Sequence, residues 1–399
     1  MFLKKSNDDD GGALHPRAAA MGACATKCFA SDPPLRSSYP PTRSAEDEYR
    51  VALLVLPLLL LPLAAWSLPD DGPDDGPQDG HDASEVESLL KTPAPVDDGD
   101  VQLLEDWDLM SCAGCHETIA EEWARTRHGQ AWVHGHYQKQ IGKKRRPQSC
   151  HGCHIPEPMH LGELGRKPTP RDEELEKLHF GISCRTCHEG PDGTILGPWG
   201  APTDAHESVQ GSSFTSAAAS NQLCISCHRT TIGPVIGIAK DFEVTGQEGK
   251  GLSCVGCHMA PVERPVATDD DDQPTQVRKG RSHLLQTPRD PAFLALAFGL
   301  EARREGDSVV VVLSNQAGHR VPGLTERVIT FEAEVLDAAG EVLEQGELEL
   351  TTRAYLAVDE ENELRIPASG GAQVRVRGLH DFPGVSRPVE FLDRTLPLK

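Results

Sequence analysis

The chain has 399 residues, enough for two or three domains, yet only 5% are aromatic and the mean hydropathy is −0.40. That composition excludes an ordinary apolar core extending through the whole chain. The net charge of −22 excludes a nucleic-acid binder and favours basic or small cationic partners.

Residues 1–67 carry seven basic and seven acidic side chains, so the excess of acid lies wholly after them. Residues 51–66 (VALLVLPLLLLPLAAW) are sixteen uncharged positions preceded by Arg36, Arg43 and Arg50. They read as the apolar stretch of a signal peptide, with a short uncleaved anchor as the alternative. This predicts export to a periplasmic or extracellular location. The next stretch, 68–102, is an acidic Pro/Gly linker that cannot bury enough apolar surface to fold.

Five copies of Cys-x-x-Cys-His follow within residues 103–290: Cys112, Cys115 and His116; Cys150, Cys153 and His154; Cys184, Cys187 and His188; Cys224, Cys227 and His228; Cys254, Cys257 and His258. Each is an attachment sequence for haem c, in which two thiols bind one porphyrin edge and the adjacent imidazole binds iron. The five use ten of the twelve cysteines. Cys24 and Cys28 lie upstream without a following His. Five covalently attached haems supply the apolar surface that the side chains lack. The expected haem region is therefore mainly α and irregular. Residues 117–137 are predicted as one helix with Ile119, Trp123 and Trp132 as apolar positions. The basic run Lys143, Lys144, Arg145 and Arg146 reads as a solvated loop, a propionate partner or a docking patch. The acidic run 269–272 reads as solvated connection.

From Ser308 the pattern changes to that of strands. Strands are predicted at 309–313, at 329–335 with Ile329, Phe331, Ala333 and Val335 on one face, from Leu348 and Leu350 onward, at 373–377 and at 389–392. Residues 291–399 are thus expected to form a small antiparallel β-sandwich.

Two segments carry a family resemblance. Cys112 to Trp132 (CAGCHETIAEEWARTRHGQAW) resembles the first haem helix of multihaem cytochromes related to hydroxylamine oxidoreductase and to its tetrahaem partner cytochrome. Gly318, His319, Pro322 and Gly323 resemble the Gly-His-x-x-Pro signature opening their C-terminal β domain, here with Pro and Gly adjacent. The resemblance covers roughly residues 105–345. It implies distal ligands at His128, His179, His206, His283 and His319. If residues 117–128 are helical, they rise about 18 Å, so His116 and His128 cannot hold the same iron. His134, His136 and His160 read as surface residues or propionate neighbours, His151 as trapped between its own two cysteines, and Arg327 as a propionate partner or a surface ion pair.

Five motifs against five distal histidines favour a carrier. Imidazole on both faces leaves no iron open to substrate and gives a lower potential than Met/His ligation. The expected partners are redox proteins, either other cytochromes or a quinone-linked oxidoreductase. A second class is an oxidoreductase acting on nitrite or hydroxylamine at one five-coordinate haem, with His134, His136 or His160 as an acid or base. Against its known forms, no Cys-x-x-Cys-Lys occurs, and none of the four tyrosines lies in a segment matching a cross-linking Tyr. A third class, a zinc or disulfide module, needs its motifs in pairs, and five is odd.

Overall fold

A computed structural model describes residues 112–171, 181–200, 203–231, 237–269, 271 and 273–398. The N-terminal extension, the apolar stretch 51–66, the acidic linker and His179 lie outside the described residues. None of the described helices is long and apolar enough to cross a membrane.

The first helix, α1 (Glu117–Ala124), is shorter than its periodicity predicts. Side chains end it. Thr126 Oγ1 donates to the Trp123 carbonyl (2.7 Å) and accepts from Gly129 N–H (3.1 Å), and Gln130 Nε2 donates to the Ala124 carbonyl (3.1 Å). These bonds occupy carbonyls that a continuing helix would use. Gly129 lies so close to Trp123 that a Cβ there would sit 2.6 Å from its carbonyl oxygen. The chain resumes as α2 (Gly135–Ile141). His116 and His128 are therefore separated by a bend as well as by length.

Each of the next four motifs ends a short helix: α3 (Gln148–His154), α4 (Cys184–His188), α5 (Asn221–His228) and α7 (Cys254–His258), with α6 (Ile238–Val244) between the last two. Ser183 caps α4 reciprocally with Thr186, and Ser253 accepts from Gly256 N–H to start α7. Two small sheets, neither anticipated from periodicity, brace this region. Parallel β1 (Ile195–Gly197) and β2 (Ser208–Gln210) form one; antiparallel β3 (Pro261–Pro265) and β4 (Val277–Arg281) form the other.

The C-terminal part starts with α8 (Pro291–Ala295), capped by Asp290. Seven antiparallel strands follow: β5 (Phe298–Glu305), β6 (Ser308–Asn315), β7 (Val328–Leu336), β8 (Val342–Leu350), β9 (Glu361–Pro367), β10 (Gln373–Asp381) and β11 (Val389–Pro397). They form one sheet ordered β11-β10-β7-β8 and another ordered β5-β6-β9. One apolar core takes Val309, Val311 and Leu313 from β6, Phe331, Ala333 and Val335 from β7, and Val374 and Val376 from β10. Phe298 packs edge-on against Phe331 at 4.9 Å.

The alternation expected over 329–335 is present: Ile329, Phe331, Ala333 and Val335 are buried. One expected boundary differs. Leu348 and Leu350 end a strand rather than begin one, because the turn after β7 feeds directly into β8. Asp337 Oδ1 accepts from Ala339 and Glu341 N–H there, and Gly340 adopts φ 88°. As an edge strand β8 leaves Val342 and Leu343 exposed, which masks its pattern. β5 and β9 escaped notice because Arg and Glu occupy their outward positions.

Candidate metal centres

Four motif imidazoles face an imidazole from elsewhere in the chain. The ring centres of His116 and His206 are 6.4 Å apart, those of His188 and His283 6.2 Å, those of His228 and His128 5.9 Å, and those of His258 and His319 6.4 Å. An iron bound on both faces at about 2 Å, with each ring centre about 1.1 Å behind its nitrogen, sets such centres about 6 Å apart. The gaps thus fit one iron each. Spacing alone is not sufficient, since His134 and His136 also lie 6.4 Å apart, but neither belongs to a motif.

Six of the motif and facing rings are also oriented by a backbone carbonyl at Nδ1. Nδ1 of His116 donates to the Val266 carbonyl (2.6 Å), Nδ1 of His154 to Ala131 (2.8 Å), Nδ1 of His188 to Leu196 (2.7 Å) and Nδ1 of His258 to Gln286 (2.8 Å). Among the facing rings, His283 donates to the Arg281 carbonyl (3.1 Å), His319 to that of Arg320 (2.9 Å), and His206 Nδ1 bonds Ser208 Oγ (3.0 Å). A carbonyl accepts only, so Nδ1 carries the proton and Nε2 keeps its lone pair. Burial pushes His154, His188, His228, His258 and His319 toward the neutral, ligating form, and takes His283 down to about 4 and His128 to about 3.

Three of the facing histidines, His128, His283 and His319, are held by contacts far away in sequence. His128 sits in the bend after α1, where its carbonyl accepts from Ile182 N–H (3.0 Å) and Gly181 packs on Ala131. Trp123 lies between His128 (5.4 Å) and His283 (6.3 Å) and donates its indole N–H to Ile182 O (2.8 Å). Glu122 accepts from His283 N–H (2.7 Å) and forms a two-pronged ion pair with Arg264. Burial raises the Glu122 carboxyl, but bonds to Arg264 and His283 outweigh it and hold it below the usual range.

His319 belongs to the loop after β6. A Cβ on Gly318 would lie 2.9 Å from the Phe242 ring, and one on Gly323 would lie 2.4 Å from Ile238 Cγ2, so the loop fits flush against α6. Arg320 pairs with Asp241 of α6 in two-pronged fashion and lies over the Tyr355 ring at 4.0 Å. Asn315 donates to the His319 carbonyl (3.0 Å). Trp123, Glu122, Asp241 and Asn315 carry no motif, and only their partners reveal them.

The motif at Cys150 differs. Its His154 faces no other histidine among the described residues; the Tyr137 ring stacks on it at 3.8 Å, inclined 11°. His151 is buried beside Trp132 (5.3 Å), and His160 bonds the Cys187 carbonyl through Nε2 (3.1 Å). The basic run 143–146 is exposed, and Lys167 reaches the Ser149 carbonyl beside it.

The motifs are also adjacent in a definite pattern. Cys112 lies beside Cys184, Cys153 beside Cys227, and Cys224 beside Cys254. The last contact is organised by buried Asn221, whose Oδ1 accepts from Cys254 N–H (3.0 Å) while its amide donates to Glu248 (2.9 Å). First and third, second and fourth, and fourth and fifth motifs are thus neighbours.

Residues 111–189 match the family described as cytochrome c554 and c-prime. No curated protein matches the chain. Among solved structures, a penta-haem cytochrome c552 from Thermochromatium tepidum is similar over 72% of this chain and 97% of its own, at 17% identity and a TM-score of 0.46. The family match covers the segment that holds the first three Cys-x-x-Cys-His motifs.

Proposed function

We propose that the chain is an exported pentahaem cytochrome that transfers electrons through bis-histidine centres. The observation that carries this reading is the set of four imidazole pairs separated by the width of one iron. The ligand pairs are His116 with His206, His188 with His283, His228 with His128, and His258 with His319. His179, from the sequence, is the partner proposed for His154. Bound haem supplies a one-electron iron couple. The protein's part is to hold each neutral imidazole in place, to bury the centres and to set motifs side by side, first with third, second with fourth and fourth with fifth. Its β region, read as a small sandwich over 291–399, supplies His319 to the fifth motif. Residues 51–66 serve as an export signal or anchor, and the partners are other cytochromes or a quinone-linked oxidoreductase.

A second reading, reduction or oxidation of a small nitrogen compound at an open haem, is favoured at one place, the motif at Cys150, where Tyr137 flanks His154. Electron paramagnetic resonance of the oxidised protein separates the two. The carrier gives low-spin ferric signals only. A high-spin fraction near one haem in five, displaced by nitrite or hydroxylamine, overturns it in favour of the enzyme.

A further inference from the structure

Outside the histidine pairs, four basic side chains converge at the junction with the β region: Arg127, Arg289, Arg327 and His380. Arg289 and Arg327 lie over one face-sharing ring, Phe382, at 5.1 and 5.8 Å, and the His380 ring is 4.6 Å from it. Burial followed by repulsion from Arg289 and Arg127 lowers Arg327 to about 10; burial followed by Arg327 lowers His380 to about 4.

Two buried atoms of Arg327 and His380 have no hydrogen-bond partner. Arg327 Nη1 is buried and makes no hydrogen bond. His380, 1% exposed, gives its Nδ1–H to the Pro288 carbonyl (3.0 Å), and its buried Nε2 bonds nothing. Asp381, next along β10, alternates to the exposed face, away from His380. A buried guanidinium N–H left unbonded costs about 1–3 kcal/mol or more, which marks a missing acceptor. A planar, two-oxygen anion meets the fork of Arg327, and its charge favours the imidazolium whose Nε2–H then donates as well.

We propose that this junction is a carboxylate-binding site, occupied by a propionate of a haem attached beside it. The inference rests on the haem reading above. Arg127 immediately precedes His128, which faces His228, and Arg289 lies just beyond Gln286, whose carbonyl holds His258. The haem concerned is therefore that of the fourth or fifth motif. A free small carboxylate or phosphate offers the same chemistry, so the test must separate the two sources.

The holoprotein is examined by spectroelectrochemical titration, with haem content measured as the pyridine haemochrome. Arg327→Gln should keep the wild-type haem content and low-spin spectrum. It should lower the midpoint potential of a single centre, because a positive charge favouring the reduced iron is gone, and Arg327→Lys should restore most of the shift. The redox-difference infrared spectrum should lose or displace one carboxylate band. Wild-type potentials should not respond saturably to acetate or inorganic phosphate, since the site is already filled. Unchanged potentials and carboxylate bands in Arg327→Gln overturn the proposal, as does a saturable wild-type response to either anion, which would assign the site to a free ligand. If Arg327→Gln does not fold, His380→Gln carries the same expectation and the same overturning results. Absence of covalent haem from the wild type would instead sink the underlying reading.

Discussion

His128 and His228 face each other with ring centres 5.9 Å apart and planes inclined 61°, although one follows the first motif and the other ends the fourth. The consequence is a displaced phenotype. His128→Ala should leave the haem of the first motif untouched and convert that of the fourth to high spin. Electron paramagnetic resonance checks the fraction, one centre in five, and cyanide should then bind at that centre alone. If every centre stays low-spin, the pairing is wrong.

Glu122 links α1 to β3 and to His283 at once, which gives a pH signature. Its folded carboxyl is held below the ordinary value, so its contribution to stability is complete above the unfolded range and is lost as pH falls through the folded value. Glu122→Gln should therefore destabilise the protein by about 1–3 kcal/mol at neutral pH and by progressively less in acid. Denaturation midpoints from pH 3 to pH 7 test this; a constant difference across the range contradicts it.

The seat of His319 is tight enough to be tested by a single methyl group. Gly323→Ala drives a Cβ toward Ile238 Cγ2 and should cost about 1–3 kcal/mol. Asp241→Ala leaves a mostly buried Arg320 unpaired and should cost about 3–5 kcal/mol. Both should raise a high-spin signal from the fifth motif only. Arg320 itself is not a ligand, so retention of all low-spin signals in Asp241→Ala would show that α6 does not position His319.

Phe331, fully buried between Phe298 and Phe391, reports on the β core separately from the iron centres. Phe331→Ala should lower stability by about 3–5 kcal/mol, read as a fall in Tm of the β region. The visible spectrum at moderate temperature should change at most for the centre that His319 serves.

Much of the β region was legible because burial on one face of a strand imposes a period of two, as Ile329, Phe331, Ala333 and Val335 show. Edge strand β8 and charge-rich β9 were not, because solvent tolerates any side chain on an open face. The long helix expected after the first motif failed at Thr126 and Gly129, whose hydrogen bonds and close approach are tertiary events that periodicity does not record.

The sequence by itself determined the five Cys-x-x-Cys-His motifs and the histidines available to oppose them, since a motif is fixed residue types at fixed local spacing. It could not say which ring meets which. That was decided by contacts between distant segments: Glu122 with His283, Gly181 with Ala131, Asn221 with Cys254, and Asp241 with Arg320. Such pairings depend on shape and buried charge at a meeting of surfaces, and no local spacing encodes them.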